Sequence, residues 1–168
     1  RDRKIGNYLI YSAHKRIPPV LTSLALSPDL SLDGFLCPPH VSSTIGTRFY
    51  DFLVGEEKMA CVVSGFEPLD ILQGIWMVLR QLLEGVALVE VQYRRAVRDE
   101  GNTDALAVLD EVFEVVPSPW RGLGLIPDSG FRLREEMRSW DALHSFPLPS
   151  IDLPEEEEED CLCGDILK

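Results

Sequence analysis

Apolar residues recur along the chain in two alternating patterns, namely short continuous runs and longer stretches with helical spacing. The short runs have the length of buried β-strands and lie at residues 7–12, 34–37, 60–63 and 87–91. The stretches with helical spacing lie between or after them, at residues 18–25, 41–47, 68–84 and 103–113. Strands that alternate with helices over short connections are typical of a parallel sheet covered by helices. The pattern therefore predicts an α/β fold with a mostly parallel sheet flanked by helices, a Rossmann-like layered domain.

The longest predicted helix begins at Pro68 and ends near Glu84, directly after the buried run 60–63. Its apolar residues form one stripe, made of Leu69, Leu72, Trp76, Leu79 and Leu83. Further apolar residues widen the stripe, namely Ile71, Ile75, Val78 and Leu82. So wide a stripe predicts a helix that is covered on most of its sides.

From Pro117 onward the periodic pattern weakens. The segment PSPWRGLGLIPDSG has many turn-forming residues, which predicts an ordered loop or one short strand. A last helix is predicted over residues 132–142. We therefore expect an α/β domain over 1–116, an ordered loop and helix that pack on or between domains over 117–146, and a less regular C-terminal extension over 147–168, an acidic linker followed by a cysteine-containing region.

The charge of the chain disfavours nucleic acid as a partner. Its 168 residues carry a formal net charge of −12, whereas the phosphates of nucleic acids select basic surfaces. Of the 28 acidic residues, 8 lie between Asp152 and Asp165, a run that is typical of a solvated linker. No apolar run reaches the roughly 20 residues that a membrane helix needs, so we expect no membrane partner.

Four cysteines in a chain of this length do not form the disulfide framework of a small secreted protein, which predicts a reducing, cytoplasmic setting. Cys37 and Cys61 fall in predicted strands and are expected to be small buried residues. Cys161 and Cys163 form a C-x-C-G sequence beside the acidic linker, which points to a soft metal or an iron–sulfur cluster. Two thiolates do not complete a site with four ligands.

Several polar side chains follow the predicted strands. In a parallel sheet with right-handed crossovers, the segments after the strands gather at one edge, where open α/β folds bind ligands. The residues expected at this edge are His14, His40, Glu67, Asp70, Gln92, Tyr93 and Arg95. The histidines suit metal binding or acid–base chemistry, or a structural role at turns. The two acids suit an acid–base pair, or the favourable end of a helix dipole.

Six ordered motifs carry a resemblance to a known family: SAHKRIPP, DGFLCPPHVSSTIG, VVSGFEPLDILQGI, QYRRAVRDEGN, WRGLGLIPDSGFRLREE and CLCGDILK. Together they closely resemble the HypD hydrogenase maturation family, from Tyr8 to Leu167. The resemblance implies a scaffold for assembly of the Fe(CN)2CO group of [NiFe]-hydrogenase. Such a scaffold works with a HypC-like chaperone and a HypE-like partner. It would contain two similar α/β domains and a C-terminal region with a [4Fe–4S] cluster.

The resemblance also implies which part of such a scaffold this chain represents. The family carries its iron-binding cysteine in a C-G-T-H motif and then has a G-P-G-C-P-V-C motif, and both would fall before Arg1. Cys161 and Cys163 would be a partial ligand set for the cluster, with the other cysteines beyond Lys168. We therefore expect the middle of a longer protein, in which neither iron site is complete. The strand-end residues would line the face near the iron or the docked partner.

Two short sequences depart from the usual family pattern. Pro39 stands where the family usually has the glycine of P-G-H-V, which costs backbone freedom at a turn. Val91 stands where the family usually has the asparagine of N-Q-Y, which removes a side-chain amide from the candidate face.

Two alternatives to the scaffold stay open at the level of sequence. The first is a small metabolic α/β enzyme that uses His14, His40 and the Glu67/Asp70 pair on a small substrate. The second is an inactive truncated remnant. The resemblance also implies an earlier strand and helix of the same domain, ahead of Asn7. A parallel sheet without them would have a gap or an exposed edge, so we expect marginal stability or self-association.

Overall fold

A computed structural model describes residues 6–28 and 30–146. The chain divides into two compact units. The sheet unit consists of residues 20–108, and the hairpin unit consists of the residues before 20 and after 108. The segment 147–168, with the predicted linker, Cys161 and Cys163, lies outside the described residues. The domain boundaries drawn from the sequence stay a prediction.

Three parallel strands form the sheet unit and confirm the predicted α/β class. They are β1 (Gly34–Cys37), β2 (Ala60–Val63) and β3 (Val89–Val91), in the order β1-β2-β3. Gly34 pairs with Ala60, and Cys61 pairs with Val89. The first two strands have the predicted bounds, whereas the third is shorter than the apolar run 87–91. All four residues of β2 are buried, because β2 is the central strand and helices pack against it.

The core of the sheet unit lies between the sheet and the helical segments around it. Helix α1 (Ile17–Ala25) precedes β1 as predicted, and helices α2 (Pro39–Ile45) and α3 (Asp51–Gly55) follow it, joined by a short 3-10 turn over Arg48–Tyr50. The fully buried side chains of Tyr50 and Leu53 pack with the buried cysteines Cys37 and Cys61. The expectation that both cysteines are buried is confirmed.

Helix α2 begins two residues earlier than predicted. The N-cap residue is Pro38, and no side chain caps the helix. The chain can start the helix at Pro39 because the first-turn N–H groups have no partner within a helix. Ser42 instead lies inside the helix, where its hydroxyl donates to the carbonyl oxygen of Pro38 at 2.8 Å.

Helix α4 (Pro68–Glu84) has the predicted bounds and ends at Gly85, whose φ of 64° is the left-handed conformation that glycine favours. The expectation that the helix is covered on most sides is wrong. Its buried side consists of Asp70, Gly74, Met77 and Gln81, whereas the predicted apolar stripe is exposed. Gly74 sets this orientation: a Cβ there would lie 2.7 Å from Cδ1 of Leu36, so the glycine backbone packs directly on the sheet.

The hairpin unit corrects two predictions for the region after residue 112. Helix α5 (Thr103–Val112) leads into β4 (Phe113–Trp120), which pairs with β5 (Gly124–Leu133) in an antiparallel hairpin, where an ordered loop or one short strand was predicted. The predicted helix 132–142 is replaced by the end of β5, a 3-10 helix over Glu135–Trp140 and the short α6 (Ala142–Ser145). Pro117 hides the strand pattern, because it sits at the register shift between Val116 and Ser118 where a strand tolerates proline.

The predicted strand over residues 7–12 is also wrong. Ile10 makes a single isolated bridge with Asp141, and the side chains of Tyr8 and Tyr11 are exposed. An apolar run of this length becomes a strand only where a neighbouring strand supplies a continuous set of hydrogen-bonding partners. Within residues 7–12, only Ile10 forms such a pair. Among the described residues, no helix combines the length and the apolar character needed to cross a bilayer.

Candidate functional site

The three parallel strands end at one side of the sheet, which we call the carboxyl edge. Hydrogen bonds join the segments that leave it. The N–H of Ser64 donates to the carbonyl of Cys37 at 3.1 Å, and the N–H of Gln92 donates to the carbonyl of Val63 at 2.8 Å. The exits of β1, β2 and β3 are therefore held side by side, as expected for a parallel sheet.

The turn between β2 and α4 is closed by Gln92. Its side-chain oxygen accepts the N–H of Gly65 at 3.1 Å, and its side-chain nitrogen donates to Oδ1 of Asp70 at 2.7 Å. The same nitrogen reaches the side-chain oxygen of Gln73 at 3.2 Å. A Cβ on Gly65 would overlap the Asp70 carboxylate, so only glycine fits this turn.

Asp70 is the buried acid of the carboxyl edge, with 7% of its surface exposed. Its Oδ1 accepts from Gln92, and its Oδ2 accepts from Nη2 of Arg95 at 3.2 Å. Ser64 fixes the backbone beneath it, because its hydroxyl donates to the carbonyl oxygen of Asp70 at 2.7 Å. A buried carboxylate needs such partners, so Asp70 holds the edge together through an ion pair and two hydrogen bonds.

Arg95 joins the buried part of the edge to its surface. Its guanidinium lies 4.1 Å from the centre of the Tyr93 ring, and Nη2 lies 3.8 Å from Oε1 of Glu67. The pKa of Arg95 is raised by its interaction with the Tyr93 side chain and, to a smaller extent, by the charges of Asp70 and Glu67. Arg95 therefore stays charged, and together with the exposed Glu67 it presents both signs of charge to solvent.

His40 reaches the same edge from α2. Its ring centre lies 5.3 Å from that of Phe66, an exposed residue of the turn before α4. The aromatic contact connects the exit of β1 with the exit of β2. The structure thus brings six of the predicted residues to one edge of the sheet unit: His40, Glu67, Asp70, Gln92, Tyr93 and Arg95.

His14, the seventh predicted residue, belongs to the hairpin unit. Its Nδ1 lies 3.2 Å from the hydroxyl oxygen of Ser12, and its ring centre lies 5.4 Å from that of Phe113. It lines a cavity of about 220 Å³ together with Ser118 and Arg132 of the hairpin. The prediction placed it after a strand over 7–12 that does not form, so its expected position at the end of a parallel strand is lost.

Three residues of the edge were not among the residues predicted for the site, namely Ser64, Phe66 and Gln73. Gln73 follows Asp70 by three positions on the same helix, a spacing that places both side chains on one face and could have indicated it. Ser64 carries no such indication, because its hydroxyl acts on a backbone carbonyl.

The donor atoms of the described residues do not fit a resident metal or cluster. Residues 6–28 and 30–146 contain no group of three or more His, Cys, Asp or Glu side chains that could hold a metal ion. The sulfurs of Cys37 and Cys61 lie 3.7 Å apart, but a [4Fe–4S] cluster takes four cysteine ligands. The hydrogen bond shared with Cys37 and burial both raise the pKa of Cys61, which disfavours the thiolate form that binds metals.

Comparison with known proteins gives a consistent result. A HypD family model, described as the hydrogenase formation hypA family, matches residues 1–168. A hydrogenase expression/formation protein of Methanocaldococcus jannaschii is 39% identical over 168 residues, which are 100% of this chain and 46% of that protein.

Two bacterial proteins named hydrogenase maturation factor HypD are similar to the same extent. The protein of Rhodobacter capsulatus is 40% identical over 166 residues, covering 97% of this chain and 44% of its own length. The protein of Escherichia coli is 40% identical over 169 residues, covering 99% of this chain and 44% of its own length. The chain therefore spans less than half the length of these relatives.

Proposed function

Because the chain belongs to the HypD family, we propose that it acts in hydrogenase maturation, as part of a scaffold on which the Fe(CN)2CO group of [NiFe]-hydrogenase is assembled. The observation that carries this proposal is the family match over residues 1–168. The names of the relatives support a role in hydrogenase maturation. The iron group is the cargo of such a scaffold, and the setting is the cytoplasm.

In this proposal the carboxyl edge is the surface that meets a HypC-like chaperone or a HypE-like partner. Asp70 and Gln92 fix the edge from below, whereas Glu67, Arg95 and Phe66 are exposed above them. A rigid edge that presents an aromatic ring and both signs of charge suits a specific polar contact with another protein.

The [4Fe–4S] cluster of the family is assigned to none of the described residues, since their donor atoms do not fit it. Cys161 and Cys163 stay the proposed partial ligand set, and they lie outside the described residues.

A pull-down with the HypC-like chaperone of the same organism tests the docking surface. We expect the immobilised chain to retain the chaperone at low salt, and Arg95→Ala to weaken retention by about tenfold, because charged pairs at the edge of an interface mainly set how fast partners associate. The matched control is Arg132→Ala in the hairpin unit, which also removes an exposed arginine paired with a glutamate. Retention that both variants weaken equally would contradict the assignment of the carboxyl edge.

The two alternatives make different predictions, which an activity assay beside the pull-down distinguishes. An enzyme that uses His14, His40 and the Glu67/Asp70 pair would turn over a small substrate without iron, whereas a scaffold shows iron-dependent partner binding and no turnover. The geometry favours the scaffold, because both carboxylate oxygens of Asp70 already accept hydrogen bonds and the residue is buried. An inactive remnant would retain no partner at low salt.

A further inference from the structure

Helix α4 exposes an unbroken row of large apolar side chains, which we call the seam: Leu69, Leu72, Trp76, Leu79 and Leu83. Each of them is between 52% and 89% exposed. The row extends over almost the whole helix of 17 residues, a length of about 25 Å. Soluble monomers rarely expose a continuous apolar surface of this size, so the seam calls for a covering partner.

The borders of the seam are also apolar. Ile71, Ile75 and Leu82 are exposed beside it. Arg80 is the basic residue of the helix, and it is already engaged, since its guanidinium contacts the Glu90 carboxylate at 2.6 Å and lies 5.4 Å from the centre of the Trp76 ring. A membrane surface is a poor occupant, because helices that lie on membranes carry several Lys and Arg residues beside their apolar face and this chain has a net charge of −12.

The spacing of the seam points to another helix of the same kind. Its residues are separated by 3, 4, 3 and 4 positions, which is the a/d repeat of a coiled coil. In such a repeat each side chain fits between four side chains of a facing helix, and an identical helix supplies those positions. We propose that the seam pairs with the seam of a second copy of this chain in a two-fold symmetric dimer.

The size and charge of the surface support this occupant. A stable interface of standard size buries about 800 Å² per partner, and eight large apolar side chains that are each more than a third exposed supply an area of that order. The seam itself contains no carboxylate, so the negative charges of two copies stay outside the contact. Because these charges still repel at longer range, added salt is expected to strengthen the pairing.

Sedimentation velocity of the 168-residue chain over a range of concentrations tests the proposal. We expect a monomer–dimer equilibrium that shifts toward dimer between low and moderate salt. Leu72→Glu combined with Leu79→Glu should weaken the dimer by more than about 30-fold, the effect of losing central anchor residues. The matched control is Val108→Glu with Leu125→Glu, which adds the same charge at exposed apolar positions elsewhere and should leave the equilibrium unchanged.

Mixing oppositely charged variants distinguishes specific pairing of the seams from nonspecific hydrophobic association. The Leu72→Glu/Leu79→Glu chain and the Leu72→Lys/Leu79→Lys chain should each be monomeric alone and form a mixed dimer when combined. A monomer at every concentration would overturn the proposal and assign the seam to a different partner. Open-ended association, or a dimer that the seam variants do not weaken, would also overturn it. None of these outcomes bears on the proposed maturation role, which the pull-down tests independently.

Discussion

Tyr50 is a single residue whose ionisation the core controls. It is fully buried, and its hydroxyl lies 2.9 Å from the hydroxyl oxygen of Ser42. Burial raises its pKa from 10.0 to about 12. Since the unfolded chain loses this proton first, the contribution to stability is complete below pH 10 and falls between pH 10 and 12, by about 1.4 kcal/mol for each pH unit.

Tyr50→Phe measures this effect. At pH 8 we expect the variant to be less stable by about 1 kcal/mol, because Ser42 loses a partner. As the pH rises above 10, the difference between the variant and the original chain should shrink, as followed by urea unfolding. Tyr11→Phe, at an exposed position, is the control and should leave the pH dependence unaltered. A difference that stays constant up to pH 11 would contradict the prediction.

Glu90 should dominate the response to acid on the α4 side of the sheet. It accepts from Arg80 at 2.6 Å and from the buried Gln81 at 2.8 Å. The hydrogen bond from Arg80 lowers the pKa of Glu90 below 4.5, although partial burial opposes the shift. A lowered pKa means that the stabilisation is present above the pKa of the unfolded chain and is lost as the pH falls through the folded value.

Glu90→Gln should therefore cost more stability at pH 7 than at pH 3. The measurement is urea unfolding at both values. Glu111→Gln, at an exposed position of α5, is the control, and its free energy of unfolding should follow that of the original chain. Equal losses for Glu90→Gln at the two pH values would show that the ion pair does not set the acid response.

At the scale of elements, Gly74 determines how closely α4 packs on the sheet. A Cβ at this position would lie 2.7 Å from both Leu36 and Ser64. We expect Gly74→Ala to destabilise the chain by about 1 kcal/mol or more, because overpacking costs about 1–3 kcal/mol and outweighs the gain in helix propensity. Thermal unfolding at neutral pH measures the change.

Gly55→Ala is the matched control for that substitution. Gly55 is also a helical glycine, but no atom lies within 4 Å of a Cβ built on it. Here only the propensity gain remains, so the variant should be as stable as the original chain or up to about 1 kcal/mol more stable. If both substitutions stabilise the chain, the close packing of α4 on the sheet is not rigid.

The elements that the sequence predicts well are those whose own residues decide their structure. β2 is a continuous β-branched run, and α4 lies between Pro68 and Gly85, so their bounds follow from local chemistry. The seam shows that the spacing of apolar residues does not determine which side of a helix is buried. Amphipathic spacing identifies an apolar stripe, but Gly74 and its neighbours decide which side of the helix meets the sheet. The hairpin was not predicted, because β4 contains prolines, which are typical of loops.

The candidate site was predictable to the extent that it depends on parallel strands. Glu67, Asp70 and Gln92 gather because each follows a strand that the apolar runs identify, and the carboxyl ends of parallel strands share one edge. His14 could not be placed by the same rule, since its preceding run forms one isolated bridge. The partners of Asp70 depend on side-chain geometry that no spacing rule supplies.

At the scale of the whole molecule, the distribution of charge decides which partners are attracted. The net charge is −12, and several arginines of the described residues are paired with acids. Arg80, Arg95, Arg132, Arg134 and Arg138 each form an ion pair with a carboxylate. Together with the excess of acidic residues, these pairs weaken the positive field that a polyanion would sense, so the surface favours neutral or basic partners.

We therefore expect no binding of nucleic acid even under favourable conditions. Fluorescence anisotropy of a labelled DNA duplex, titrated with the chain at about 50 mM salt, should stay flat, because binding strength comes mainly from cations that replace the counterions of the phosphates. Binding that saturates and weakens steeply with added salt would contradict this, since that behaviour requires several basic groups free to contact phosphates. Two variants would then identify the unit responsible. If the hairpin unit carries the basic surface, only Arg132→Glu should abolish binding. If the carboxyl edge carries it, only Arg95→Glu should abolish binding.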